Sequence, residues 1–329
     1  MTDTDLIDEA VAILARGGLV AFPTETVYGL GADAQNPVAV RRIFAVKGRP
    51  AQHPLIVHVA SAAELPRWVT DVPPAAVELA RRFWPGPLTL VLHRSPRIPL
   101  EVTGGLETVA LRVPAHPVAQ ELLRRFGGAI AAPSANRFGS VSPTTAQHVR
   151  DDLGDAVDMV LDGGPCDVGV ESTIVDLSGP EPALLRPGGI AREALQHALG
   201  VPLRQPSAPS VRAPGQHPLH YAPRAQVILV EPPRIVAEAL RLEQAGRHVG
   251  VLLPPGVTLP ENFGGVALPV PLSLELYAHE LYSLLRDFDR RNCDVIVAAL
   301  PPEEGLGAAI ADRLRRAAGP RRRGARSRP

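Results

Sequence analysis

Lysine is nearly missing from this chain. Lysine and arginine together number 34 among 329 residues, and Lys47 is the single lysine. Lysine carries a compact charge on a flexible stem, whereas arginine presents a broad planar fork. A site that sets one small cation against a phosphate or an acylating centre tolerates the first and not the second. The stretch Lys47-Gly48-Arg49-Pro50 is therefore the first candidate site, with a solvated helix-surface lysine as the ordinary alternative.

Other shortages exclude whole classes. Aromatic residues make up only 4%, which argues against a surface built to stack bases. The formal net charge is +0, so no overall field draws in nucleic acid or membrane. The two cysteines, Cys166 and Cys293, are isolated; they form neither a disulfide framework nor a metal spacing, and they fit a reducing compartment. No run approaches the ~20 apolar residues that span a bilayer. The start is acidic (Asp3, Asp5, Asp8, Glu9) rather than basic and then apolar, so no signal peptide and a cytoplasmic location are expected. No phosphate-binding Walker loop and no dinucleotide glycine fingerprint occurs. Ser172 lies outside any Gly-x-Ser-x-Gly elbow, so no serine nucleophile is expected.

What remains is ample for cores: 45% of the residues are apolar, and the length suits two domains. Leu6, Ile7, Ala10, Val11 and Leu14 share one face of a helix over 4–15, stopped by Gly17-Gly18. A short strand then runs into a hydroxyl-rich loop, Pro23 to Gly31. Asn36 caps and Pro37 opens a second helix, which places Lys47 and Arg49 at or just past its C-terminal end. Further strands are expected over 55–59, 88–92, 108–113, 129–132, 157–161, 172–177 and 182–186. Helices are expected over 74–83, 117–126, 191–198 and from Ser142 to about Arg150. Residues 1–200 form the first domain. Residues 201–224, rich in Pro, Ser and His, read as a linker. Alternating strands and helices over 225–318 predict a small parallel sheet, and 319–329 reads as a disordered basic tail.

The cations Lys47, Arg49, Arg112 and Arg186 fall beside strand ends or glycine turns. Thr24, Thr26, Thr108, Ser134, Asn136, Ser142 and Ser172 supply hydroxyls and an amide in similar places. Cations, hydroxyls and close-approach glycines together suit a triphosphate. Taken singly, each arginine reads as a surface residue and each hydroxyl as a cap. His58, inside an apolar strand, reads by default as a core histidine bonded to a carbonyl. Glu25 and Glu171 read as acid/base groups or, equally, as salt-bridge or capping carboxylates. His217 and His220 with Cys166 match no zinc spacing, so no protein-bound metal is expected.

Eight motifs follow one another in order: Phe22 to Gly31, Lys47 to Pro50, Pro54 to His58, Trp84 to Thr89, Val109 to Pro114, Ala132 to Asn136, Gly169 to Ile174 and Leu185 to Gly188. The series resembles the YrdC-type threonylcarbamoyl-adenylate synthases, whose signature is Lys-x-Arg followed by Ser-x-Asn. Ala213-Pro214-Gly215, His220-Tyr221-Ala222-Pro223 and Pro302 to Gly307 resemble the long, two-domain branch. That branch often carries a Lys-Tyr pair where this chain has His217-Pro218.

The resemblance implies an α/β architecture: a twisted open sheet with a large concave cleft, plus a smaller Rossmann-like parallel domain. It implies that L-threonine, bicarbonate or CO2, and ATP with Mg2+ give threonylcarbamoyl-AMP and pyrophosphate. A separate transferase would then modify tRNA beside the anticodon, with direct tRNA contact weak at most. By family position Lys47 and Arg49 grip phosphates; Thr24, His58, Arg112 and Ser172 hold threonine; Thr108, Ser134, Asn136, Ser142, Arg186 and Tyr221 hold the nucleotide. Tyr221 would make residues 201–224 a lid. Two other readings stand beside this one. They are a non-enzymatic module for double-stranded RNA or tRNA, favoured only by the arginine tail, and an adenylating carbamoyl transferase fed by carbamoyl phosphate.

Overall fold

The computed structural model describes residues 3–205 and 220–319. The linker expected over 201–224 and the tail expected over 319–329 therefore lie mostly outside the described residues. In chain order the first domain runs α1 (Asp3–Ala15), β1 (Val20–Phe22), β2 (Gly29–Asp33), α2 (Pro37–Lys47), β3 (Ile56–His58), α3 (Leu65–Trp68), α4 (Pro74–Phe83) and β4 (Leu88–His93). It continues α5 (Leu100–Thr103), β5 (Thr108–Arg112), α6 (Pro117–Phe126), β6 (Ile130–Ala131), α7 (Ala146–Leu153), β7 (Met159–Val160), β8 (Thr173–Asp176), β9 (Ala183–Arg186) and α8 (Arg192–Leu199). Its strands make one mixed sheet in the order β7-β1-β2-β6-β3-β5-β4-β8-β9.

Local chemistry accounts for most of these elements. Asn36 Oδ1 accepts from the backbone of Val38 and Ala39, Pro37 sets the first turn, and α2 ends at Gly48. β2 is a strand where the sequence suggested loop, since glycine is depleted in strands. Its Gly31 is held between Phe22 and Ile130, whose side chains would lie 2.8 and 2.9 Å from any Cβ added there. The helix expected from Ser142 begins later, with Thr145 as its cap. Two backbone carbonyls ahead of it are already taken, by the Tyr28 N–H at Pro143 and the Cys166 N–H at Thr144.

The second domain runs β10 (Gln226–Leu229), α9 (Ile235–Gln244), β11 (Val249–Leu253), β12 (Val266–Pro269), α10 (Leu274–Arg290), β13 (Val295–Ala298) and α11 (Gly307–Ala317). Its sheet, β10-β13-β11-β12, is wholly parallel, as the alternating pattern predicted. Helices α10 and α11 pack directly on the first domain. Val27, Val141 and Val170 join Tyr277, Tyr282 and Leu314 in one apolar cluster. Arg286 on α10 binds Asp152 at 2.6 Å. No helix among the described residues is long and apolar enough to cross a membrane.

Candidate active site

Strand direction gathers the candidate residues. β3 and β5 are parallel, and their last residues, His58 and Arg112, stand side by side in register. β4 runs antiparallel to β5 and parallel to β8, and β9 runs back along β8. The start of β8 and the end of β9 therefore reach the same edge, which delivers Ser172 and Arg186 beside Arg112. Loop residues Thr24, Thr26 and Val27, the turn Ala132-Pro133-Ser134, and His220-Tyr221 close the wall. The enclosed volume is about 50 Å³.

One end is organised by Arg112. Its Nε donates to the Gly86 carbonyl at 3.2 Å, its Nη1 to Thr26 Oγ1 at 2.9 Å, and its Nη2 lies 2.7 Å from Glu25 Oε1. Glu25 Oε2 in turn accepts the Ala115 N–H. Thr24 Oγ1 contacts Thr26 Oγ1 and donates to the Val27 carbonyl. The guanidinium is thus aimed with part of its fork uncommitted, a fitting receptor for a carboxylate. His58 is buried beside it, and its Nδ1 has no hydrogen-bond partner among the described residues.

Beside Arg112, Arg186 donates through Nε and Nη2 to the Ser172 carbonyl and through Nη2 to Ser172 Oγ. Ser172 Oγ also contacts Thr89 Oγ1 at 2.8 Å. Arg49 donates to the Pro54 carbonyl, and its buried Nε has no hydrogen-bond partner among the described residues. Burial pulls the Arg49 guanidinium down to about 10, and Arg186 adds to this, which still leaves it charged at neutral pH.

Lys47 stands just behind this wall. Its Nζ donates to the backbone carbonyls of Ser134 at 2.6 Å and Asn136 at 2.5 Å. The lone lysine therefore braces the Ser-x-Asn turn that carries Ser134 into the cavity. Burial, and then the neighbouring Arg49, push its ammonium well below the usual lysine range. Asn136 sits beside the wall and donates to the Arg137 and Ser140 carbonyls. Ser142 lies behind Glu171, to which its Oγ donates at 2.6 Å. Thr108 is not brought to the cavity: it opens β5, about 13 Å along the strand from Arg112.

Tyr221 lines the cavity. It is buried with φ at 58°, a left-handed value that a bulky residue adopts only when its surroundings impose it. The His220 N–H on the Arg316 carbonyl and the Ala222 N–H on the Gly139 carbonyl hold it there. Its ring stacks on Tyr282, with 5.8 Å between centroids. His220 lines the cavity too, instead of meeting Cys166, which is a buried core thiol. His217 lies outside the described residues.

Glu171, left open between two roles by the sequence, is a wall carboxylate bound by Ser142, Tyr282 and Arg313. Arg313 and Tyr282 carried no sequence signal, since each occupies an ordinary position on an amphipathic helix. Only the docking of α10 and α11 reveals them.

Burial and the nearby Arg112 lower the His58 imidazole from 6.5 to about 3. Burial, then Arg286 and Arg290, bring His148 to about 4. Between these values and 6.5 the unfolded chain binds more protons than the folded one. Stability is therefore expected to fall as pH drops below about 6.5, by up to about 1.4 kcal/mol per pH unit for each such group. Burial raises the Glu171 carboxyl, but Arg313, Arg186 and the Ser142 hydrogen bond outweigh it and hold it below its usual value. Glu171 thus adds the same sign below about pH 4.5. The urea midpoint should decline from pH 7 to pH 5 with unchanged slope; a flat midpoint would contradict the buried neutral histidines.

Residues 12–188 match the model of the Sua5/YciO/YrdC family, described as telomere recombination. Residues 190–319 match the Sua5 C-terminal domain, described as threonylcarbamoyl-AMP synthase, C-terminal domain. The chain belongs to the Sua5/YciO/YrdC family. It is 44% identical over 321 residues to the threonylcarbamoyl-AMP synthase of Pyrococcus abyssi, covering 94% of this chain and 93% of that protein. It is 43% identical to the Bacillus subtilis protein of the same name, covering 97% and 95%. Among solved structures, P. abyssi Sua5 complexed with L-threonine superposes with a TM-score of 0.90 at 42% identity, covering 97% of this chain and 95% of that one. Both domains and their order are thus those of the two-domain form.

Proposed function

We propose that this protein joins L-threonine, bicarbonate or CO2, and ATP into threonylcarbamoyl-AMP, releasing pyrophosphate. The observation that carries the reading is a cavity walled by Arg49, Arg112 and Arg186, in a chain similar along nearly its whole length to synthases of that name. The threonine amine attacks CO2 to give a carbamate. A carbamate oxygen then attacks the α-phosphorus of ATP, and pyrophosphate leaves. No protein nucleophile is needed. The enzyme aligns two anions and neutralises the charge that gathers on the phosphates.

Arg112 receives the threonine carboxylate, flanked by Thr24, His58 and Ser172. Arg49, Ser134, Arg186 and Tyr221 face the nucleotide, while Lys47 and Asn136 fix the turn that presents Ser134. Ser142 acts from behind Glu171. Thr108 would touch only a nucleotide that reached well past the cavity. Mg2+ enters as part of the nucleotide substrate. The carboxylates Glu25 and Glu171 are already engaged by Arg112 and Arg313. A small-molecule site of this kind needs roughly 300 Å³ or more. The enclosed volume is far smaller, so the His220-Tyr221 wall must open to admit ATP, and closing it afterwards shields a water-sensitive product. The adenylate then supplies a tRNA-modifying transferase.

The test is pyrophosphate release from ATP with bicarbonate and each amino acid in turn. Release that requires L-threonine and bicarbonate together, with the mass of threonylcarbamoyl-AMP, is the expected result. Release driven by carbamoyl phosphate, or none with any amino acid, would overturn the reading.

A further inference from the structure

Glu171 is an unusual wall for a site that takes a triphosphate. It is the one carboxylate among the residues lining the cavity, and it is buried. Left alone, its charge would repel the phosphates at close range and in poor screening. The second domain supplies its counter-charge. Arg313, on α11, is wholly buried and donates from Nε to Glu171 Oε2 at 2.7 Å. Its Nη1 meets Asp312 at 2.5 Å and its Nη2 donates to the Pro187 carbonyl at 3.0 Å. Its plane lies over the Tyr221 ring, 4.9 Å from the centroid.

Glu171 has two further donors, Ser142 Oγ at 2.6 Å and the Tyr282 hydroxyl at 2.8 Å. Arg313 also clamps the turn beyond Arg186. There Gly188 packs so closely that an added Cβ would sit 2.3 Å from the Glu171 carbonyl oxygen, and the Gly189 N–H donates to that same oxygen. One guanidinium thus touches the strand end bearing Glu171-Ser172, the turn after Arg186 and the ring of Tyr221.

We propose that Arg313 is a positioning residue of the adenylation site, through which the second domain neutralises Glu171 and fixes the nucleotide-facing wall. The inference rests on the synthase reading above. Under it the second domain does more than carry the linker back to the cavity, because α11 completes the site electrostatically. Arg313→Gln leaves Glu171 with its hydroxyl donors and without its ion-pair partner, Arg186 being the remaining nearby cation, so nucleotide binding falls. Removing the charge from both partners, as in E171Q/R313Q, takes away the repulsion together with its remedy.

The experiment measures, in the full-length protein, kcat, KM for ATP, KM for threonine, and direct binding of a non-hydrolysable ATP analogue by calorimetry. The variants are R313Q, R313K, E171Q and E171Q/R313Q. The expected result is a rise of about ten-fold or more in KM for ATP and in analogue Kd for R313Q, with KM for threonine within about two-fold of wild type. E171Q/R313Q should recover most of that loss. R313K, which keeps charge but loses the fork, should fall between. If R313Q does not fold, E171Q/R313Q and R313K decide: nucleotide affinity near wild type in the double variant with a weaker R313K supports the assignment. Unchanged nucleotide affinity in R313Q, or a loss in E171Q/R313Q as deep as in R313Q, would overturn it. Wild-type protein that binds the analogue but makes no threonylcarbamoyl-AMP would instead count against the synthase reading, and the ratio of analogue affinities would still judge Arg313.

Discussion

Lys47→Arg is expected to slow threonine-dependent pyrophosphate release about a hundred-fold, although the charge is kept. The cause is geometric. One ammonium nitrogen bridges the Ser134 and Asn136 carbonyls at 2.6 and 2.5 Å, in a space where Lys47 is only 3% exposed. An ammonium offers three rotatable donors from one atom, whereas a guanidinium is a wide, flat fork. Fitting the fork behind the turn pushes Ser134 out of the cavity wall, and a displacement of about 1 Å at a positioned group costs about 10²-fold. Lys47→Met removes the charge and nearly keeps the length; it should fail as badly, since two buried carbonyls lose their donor. Single-turnover rates with saturating ATP and threonine separate this effect from binding. An arginine variant at near wild-type rate would show that any cation serves.

Much of this frame was legible before any coordinates. Asn36 and Pro37 signalled the start of α2, and the parallel second sheet followed from its strand-helix rhythm. The places that were not legible share a cause: they are decided by what lies across a gap in sequence. Strand β2 reads as loop because its glycines lack strand propensity, yet Phe22 and Ile130 leave room for nothing larger at Gly31. The scarcity of lysine likewise singles out Lys47 as a site candidate, but does not say that its nitrogen faces two carbonyls instead of the cavity. Thr108 and Arg112 lie on one expected strand, yet the length of that strand separates them. Glu171 and Arg313 are 142 positions apart. No local pattern pairs them: Glu171 alone leaves its role open, and Arg313 alone reads as an ordinary helix charge.

The second large effect is expected at Arg112, where fold and function can be pulled apart. Arg112 and Glu25 form a buried pair, with side chains 4% and 7% exposed. Breaking such a pair from one side leaves an uncompensated charge and costs about 3–5 kcal/mol, whereas removing both charges is often nearly neutral. Arg112→Gln should therefore lose stability on that scale, read as a lower urea midpoint. Glu25→Gln/Arg112→Gln should recover most of it. Catalysis should not recover with it, because the lost guanidinium is also the group proposed to receive the threonine carboxylate. A charged hydrogen-bonded contact contributes about 1.5–3 kcal/mol, which corresponds to about a 10- to 100-fold rise in KM for threonine. KM for ATP should change far less, since Arg49 and Arg186 are untouched. A double variant that is stable yet keeps a wild-type KM for threonine would remove Arg112 from the substrate site and leave it a purely structural role.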